Sequence, residues 1–294
     1  MSRAVGLFIS ARVLGKGKTP VVWPYEPMIS HLIARLVQPI REGVARALLR
    51  VGLRPNHVTV LGMLLTVGAG VAVAAGKAWW PWAVGLVVAA GACDMLDGAM
   101  AQVGGAKSRF GGVLDSICDR VSDAALYLGP AAYFVVRPDG PPGAAPNLTL
   151  GLLAGLGLVW AYLVSYARAR AERVVPWCGG GFWQRGERVV TILLGLAFGH
   201  LVIAVWILGL WPLTTVAHRL WRARRACEAL DGRMDESAAR AIEPRGLAGL
   251  LLWRWERGSV PFDLHAGTVI AMLVFVNLPE ADPLRGLLAS LVGA

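Results

Sequence analysis

Four aspartates are set into otherwise apolar, membrane-length sequence: Asp94, Asp97, Asp115 and Asp119, in the run CDMLDGAMAQVGGAKSRFGGVLDSICDR. Near a bilayer centre each costs roughly 2.5–3.5 kcal/mol on insertion scales, so four cost about 10–14 kcal/mol unless something compensates. The members of each pair are three and four residues apart, which puts them on one face of a helix. The Gly-rich stretch between the pairs can fold the second helix back onto the first, and the four carboxylates then converge. Two like charges about 4 Å apart repel by about 4 kcal/mol at an effective dielectric of about 20, so the cluster requires divalent cations or protons. An all-oxygen donor set suits a hard cation, Mg²⁺ or Mn²⁺. The competing reading is four helix-end aspartates solvated at a membrane surface.

The elements that must position these groups are membrane spans. Of 294 residues, 56% are hydrophobic and 16% charged, with 12 tryptophans, and the mean hydropathy is +0.56. Apolar stretches of spanning length cover 57–75, 79–100, 113–136, 148–167 and, less cleanly, 189–219. The last is long enough for two short helices broken near Gly199-His200, which makes six. The apolar part of AVGLFIS is too short for a cleaved signal and is followed by no small-residue cleavage site.

A net charge of +10 suits nucleic acid in principle, but the basic residues follow topology instead. Arginines and lysines precede the first span, Lys107 and Arg109 lie between the second and third, Arg168 to Arg188 between the fourth and fifth, and Arg219 to Arg225 after the sixth. The alternate loops carry little, Lys77 in one and Arg137 with Asp139 in another. By the positive-inside rule the N-terminus, the carboxylate loop and the Arg-rich loop are cytoplasmic. The chemistry then faces the cytosol at the inner leaflet, among membrane lipids and without a nucleic-acid partner.

Before the first span, residues 28–53 place Ile29, Ile33, Leu36, Val37, Ile40, Val44, Leu48 and Leu49 at helical spacing with arginines between. This predicts an amphipathic helix lying on the membrane surface. After Arg225 the polar run CEALDGRMDESAARAIEPRG predicts a cytoplasmic helix and loop, and the apolar segment 264–278 is short for a span, its placement open. The cysteines, Cys93, Cys118, Cys178 and Cys227, have no CxxC pairing and no His at ligand spacing, and are read as packing residues. Gly179-Gly180-Gly181 is read as a flexible loop, since no nucleotide-binding context surrounds it.

The run from Asp94 to Asp119 resembles the signature of the CDP-alcohol phosphotransferases, D-x₂-D-G-x₂-A-R-x₈-G-x₃-D-x₃-D. It matches at Asp94, Asp97, Gly98, Ala101, Gly111, Asp115 and Asp119, with every spacing kept. Gln102 stands where the family has Arg. The resemblance covers about 55–221. It implies an all-α integral membrane protein organised as a 1–54 interfacial segment, a 55–222 domain of six transmembrane helices and a 223–294 C-terminal extension. It also implies a homodimer, CDP-diacylglycerol as donor and two Mg²⁺ or Mn²⁺ ions. Asp94, Asp97 and Asp115 would ligate metal, with Asp119 sharing a metal and acting as general base on the acceptor hydroxyl. Two ions can clamp the attacking and leaving oxygens of a phosphoryl transfer. Gly98, Ala101 and Gly111 are small where a nucleotide must approach backbone. Asn56 and Thr59, in the run Pro55-Asn56-His57-Val58-Thr59, resemble the segment beside the CDP moiety, with a helix N-cap as the alternative. The missing Arg at Gln102 either weakens binding of the CDP-lipid or shifts the diphosphate contact to a nearby cation such as Arg109 or Lys107.

For the acceptor, SYARARAE (165–172), FWQRGERVV (182–190) and the Arg219-Leu220 pair resemble the bacterial phosphatidylinositol phosphate synthase subfamily. That likeness assigns the acceptor phosphate to Ser165, Arg168, Arg188 and Arg219. Arg168 replaces a Lys, keeping the charge while exchanging a point charge for a planar fork. The alternative for each arginine is a headgroup anchor. The expected activity is phosphatidyl transfer from CDP-diacylglycerol to inositol phosphate. Phosphatidylglycerophosphate synthesis is the nearest alternative. A carboxylate-lined cation transporter, or a non-catalytic lipid-binding relative marked by Gln102, stands in another class. A transporter places its carboxylates at midplane between repeated halves, whereas these flank a cytoplasmic loop and no internal repeat is visible.

Overall fold

The computed structural model describes residues 28–105, 108–175, 178–232, 255, 259–280 and 282–283, with side chains from residue 38 onward. All regular structure among them is helical. Helix α1 spans Met28–Arg50. Of its expected apolar stripe, Ile29, Ile33, Leu36 and Val37 lie outside the described side chains. Further along, Ala45 is buried and Leu48 and Leu49 pack beside Ala99 and Met100, whereas Ile40 and Val44 are exposed. The apolar residues therefore divide between the protein and its surroundings.

Helix α2 (Pro55–Ala75) opens on Pro55, where the missing N–H costs nothing. After Gly76 and a 3₁₀ turn at Lys77–Trp79, α3 runs over Trp80–Val103. Gly104 and Gly105 reverse the chain, Gly105 at φ +61°, a conformation open to glycine at little cost. The Ser108 hydroxyl then accepts the Gly111 N–H at 2.9 Å, capping α4 (Arg109–Val136). Asn147 caps α5 (Leu148–Ala171) in the same way through the Leu150 N–H. The remaining helices are α6 (Arg185–Ala197), α7 (Leu201–Leu210), α8 (Pro212–Asp231) and α9 (Val260–Phe275).

Helix α2 packs on both α3 and α4, α4 on α5, α5 on α7 and α8, α6 on α3 and α7, and α9 on α6 and α7. The α2–α4 crossing is backbone to backbone. A Cβ at Gly70 would stand 2.4 Å from the Ala125 carbonyl oxygen, and one at Gly129 2.5 Å from that of Gly70. Small residues allow such approach in membrane bundles, where van der Waals contact replaces the hydrophobic effect.

Four segments are long and apolar enough to cross a membrane: Pro55–Ala75, Lys77–Val103, Leu148–Ala171 and Leu201–Asp231. Helix α4 has the length, at 28 residues, but carries carboxylates. The expected break near Gly199-His200 is present, with α6 ending at Ala197 and Gly199 at φ +74°. The two pieces differ in length. Helix α6 has only 13 residues, while α7 continues through Trp211 into α8 as one 31-residue segment. The polar run after Arg225 begins as the end of α8, and its residues beyond Gly232 lie outside the described residues.

Candidate active site

Carboxylates from the last turns of α3 and the first turns of α4 converge. Carboxylate oxygens of Asp94, Asp115 and Asp119 lie within 4.8 Å of one another. These three hard oxygen donors fit a divalent cation of the Mg²⁺ or Mn²⁺ type. Asp97 lies in the wall of the same cavity, of about 320 Å³, with its Oδ2 accepting the Thr59 hydroxyl at 2.6 Å. Thr59 thus orients a carboxylate across 38 residues of sequence, as well as bonding back to the Pro55 carbonyl at 3.2 Å.

A second cavity, of about 300 Å³, opens on the other side of Asp97 and Asp115. Asn56, Thr59, Gly98, Ala101 and Gly111 all line it. A Cβ at Gly98 would meet no protein atom within 4 Å, while one at Gly111 would stand 3.0 Å from the capping Ser108 Oγ and 3.4 Å from Asn56 Oδ1. Gly98 therefore leaves room for a ligand against backbone, while Gly111 leaves room for the Ser108 cap. Gln102 and Arg109 are exposed and do not line this cavity; Lys107 lies outside the described residues. Because its side chain points away from packed protein, Gln102→Arg is expected to leave stability unchanged and to lower the donor KM or leave activity intact. Steady-state kinetics against CDP-diacylglycerol checks this, and loss of activity contradicts it.

The third cavity, of about 880 Å³, lies between α4, α5, the start of α6 and α8. Ser165, Arg168, Arg188 and Arg219 all face it. Each is fixed differently. The Ser165 hydroxyl donates to the Ala161 carbonyl at 3.2 Å, and Arg168 pairs with Glu172 at 2.8 Å on the exposed surface. Arg188 is only 2% exposed, donating to the Trp183 carbonyl at 2.9 Å and pairing with Asp123 at 3.2 Å. Arg219 donates to the carbonyls of Gly180 and Val164.

The Gly179-Gly180-Gly181 run is a packed connection, contrary to the flexible loop expected of it. Gly180 and Gly181 adopt φ +110° and +85°, and a Cβ on Gly181 would stand 2.4 Å from Thr215 Cγ2. This close approach lets the Gly179 and Gly180 carbonyls meet Arg222 and Arg219 and the Trp183 N–H meet the Thr215 hydroxyl at 3.0 Å. Cys178 in the same connection is fully buried, and burial pushes its thiol above the ordinary value, which suits a packing residue. Cys93 and Cys118 are likewise buried free thiols.

Two residues not singled out in the sequence hold the site together. Arg185 Nη1 lies 2.8 Å from Asp119 and 3.4 Å from Asp94, and its Nε is 3.7 Å from Asp123. The Asp123 side chain, 3% exposed, is ringed by Arg120, Arg185 and Arg188. Sequence signals existed for both. Asp123 continues the i, i+4 row from Asp115 and Asp119, and Arg185 precedes Arg188 by three residues on one helix. Asp119 and Arg185 line both the carboxylate cavity and the arginine cavity.

A metal-competent carboxylate cavity joined to an arginine-lined one, within an apolar helical bundle, is the architecture of a membrane-embedded phosphoryl-transfer site. Residues 53–221 match the CDP-alcohol phosphatidyltransferase family, and the chain belongs to that family. It is 34% identical over 233 residues to the phosphatidylinositol phosphate synthase of Mycobacterium tuberculosis, covering 71% of this chain and 98% of the relative. To the archaetidylinositol phosphate synthase of Pyrococcus horikoshii it is 32% identical over 203 residues, 68% of this chain and 99% of that one. The M. tuberculosis enzyme solved with CDP-DAG bound aligns at TM-score 0.56 and 32% identity, over 63% of this chain and 94% of that one. The same enzyme in complex with manganese and citrate aligns at TM-score 0.56 and 31% identity, over 63% and 88%.

Proposed function

We propose that this enzyme transfers the phosphatidyl group of CDP-diacylglycerol to inositol phosphate, giving phosphatidylinositol phosphate and CMP. The observation that carries this is the shared wall of the two cavities, where Asp119 and Arg185 face both. A donor phosphate among the carboxylates and an acceptor anchored by the arginines meet at that wall. The two relatives named above differ in their lipid yet share inositol phosphate in their names.

Asp94, Asp97, Asp115 and Asp119 would hold two Mg²⁺ or Mn²⁺ ions, which would neutralise the phosphate oxygens. Asn56, Thr59, Gly98, Ala101 and Gly111 receive the cytidine diphosphate portion, with Gln102 and Arg109 at its outer edge. Ser165, Arg168, Arg188 and Arg219 hold the acceptor phosphate through charge-assisted hydrogen bonds. Asp119 Oδ takes the proton from the acceptor hydroxyl. The hydroxyl oxygen bonds to the phosphorus of the phosphatidyl group, the bond from that phosphorus to the CMP oxygen breaks, and CMP leaves. Arg185 balances charge at the wall between the substrates.

In this reading α2, α3, α4, α5, α6 and the α7–α8 segment make the six crossings of the family domain, α1 lies on the cytoplasmic surface, and the site opens at the inner leaflet. The basic loops support this orientation. The family resemblance adds a homodimer, which chemical crosslinking in membranes tests.

CMP release by the purified protein against a panel of alcohols is the direct test. Inositol phosphate is expected to outcompete glycerol phosphate, and free inositol or serine to be poor, because an acceptor phosphate brings about two negative charges to the arginines. A preference for glycerol phosphate makes the protein a phosphatidylglycerophosphate synthase. Comparable use of free inositol or serine removes the arginine pocket from the reading.

A further inference from the structure

Helix α9 lies beyond residues 53–221 that match the family, yet it is seated in the bundle. Val269 and Leu273 are buried in the same core as residues of α6 and α7. Phe262, His265, Val269 and Leu273 follow helical spacing, so one face of α9 makes these contacts. At 16 residues it is about 24 Å long, with a rise of 1.5 Å per residue.

Its two ends meet opposite ends of α6. At the start of α9, Phe262 lies on Phe182 with ring centroids 4.9 Å apart. His265 stands edge-on to Phe182 at 4.4 Å and within 6.3 Å of Trp183. Toward its other end, the Leu273 carbonyl meets His200 Nδ1 at 2.8 Å, just after α6 closes. Beyond α9 the chain is tied to the same end of the bundle. Glu280 pairs with Arg137 at 3.0 Å, and Asp282 accepts the Leu148 and Thr149 N–H groups at 3.0 and 3.1 Å at the start of α5. A carboxylate there satisfies orphan donors and complements the helix dipole.

The aromatic contact falls on the segment that aims the arginines. The Trp183 carbonyl is an acceptor for buried Arg188, the Trp183 N–H is bound by Thr215 on α8, and Arg185 follows two residues later. Phe182 and Trp183 are themselves packed edge to face at 4.9 Å. Moving Phe182 therefore moves the carbonyl that Arg188 donates to.

We propose that α9 is a strut, added to the family domain, whose Phe262 and His265 act as positioning residues for the acceptor site by clamping Phe182-Trp183 and so fixing Arg188. They touch no substrate. This rests on the acceptor-pocket reading above, with Arg188 as the reference for it.

The test uses the full chain in detergent or nanodiscs, with Phe262→Ala, Phe262→Leu, His265→Ala and Val269→Ala, alongside Arg188→Ala. Phe262→Ala and His265→Ala are expected to raise the KM for inositol phosphate about five- to tenfold, a partial share of the roughly ten- to hundredfold expected for losing a charge-assisted bond outright. The KM for CDP-diacylglycerol should stay within about twofold, and Phe262→Leu should restore most of the loss by refilling the contact. Val269→Ala, lower on the helix, should reduce thermal stability and leave both KM values alone. If Phe262→Ala and His265→Ala lower stability as Val269→Ala does, with the acceptor KM unmoved while Arg188→Ala raises it, the strut has no positioning role. If Arg188→Ala leaves that KM unmoved, the pocket reading itself fails. Should Phe262→Ala not fold, His265→Ala against Val269→Ala decides by the same comparison.

Discussion

Asp119→Asn is expected to reduce CMP release by about 10²–10⁴-fold, the range over which a positioned general base contributes to rate. The substitution keeps the shape of the side chain but removes its capacity to accept the hydroxyl proton and one charge from the Asp94–Asp115–Asp119 group. Asn at Asp94, Asp97 or Asp115 should also abolish release, by weakening the ion site alone. Mn²⁺ titration separates these effects, because all four variants should bind Mn²⁺ more weakly. Excess Mn²⁺ should then recover turnover in Asp97→Asn more than in Asp119→Asn, since Asp97 already shares its Oδ2 with Thr59 and makes the smaller contribution. Chelation with EDTA should silence the native enzyme, and Mg²⁺ or Mn²⁺ should restore it. Stability should change little, because the 2.8 Å ion pair between Asp119 and Arg185 is only partly buried and such pairs contribute about 0–1 kcal/mol. Substantial turnover by Asp119→Asn removes it from the role of base.

What could be read in advance and what could not divides along sequence separation. Helical spacing alone placed Asp94 with Asp97 and Asp115 with Asp119, and the glycines between them announced the reversal now seen at Gly104-Gly105. The apolar stretches located α2, α3 and α5 to within a few residues, since no other state hides so much apolar backbone. Helix α4 begins at Arg109, ahead of its apolar stretch, because Ser108 caps it where hydropathy is low. The Arg185–Asp123 pair leaves no local trace in the sequence, since its partners lie about sixty residues apart, although each stands at helical spacing from a residue of the motif or the arginine set. The glycine run at 179–181 is ambiguous for the opposite reason. Three glycines state that the backbone needs freedom, not whether the freedom serves motion or the close packing against Thr215 that the structure has. Segment 264–278 has no local signal for its place because its partners, Phe182 and His200, flank the two ends of α6, far away in sequence.

Arg188→Ala should cost both acceptor affinity and fold stability, and a second substitution can separate them. Arg188 is buried against an Asp123 carboxylate 3.2 Å away, and removing one partner of a buried pair typically costs about 3–5 kcal/mol because a charge is left uncompensated. Here Arg120 and Arg185 remain 3.3 and 3.7 Å from Asp123, so the loss should fall at the lower end, about 3 kcal/mol. The KM for inositol phosphate should rise about ten- to a hundredfold, as expected for losing a charge-assisted bond of about 1.5–3 kcal/mol, with that for CDP-diacylglycerol nearly unchanged. Arg219→Ala should raise the same KM. Adding Asp123→Asn to Arg188→Ala removes the orphaned charge and should return much of the stability, read by thermal or denaturant unfolding, while the acceptor KM stays high. Recovery of both together would mean that Arg188 serves only to neutralise Asp123, and the acceptor phosphate would then have to be held by Arg168 and Arg219 alone.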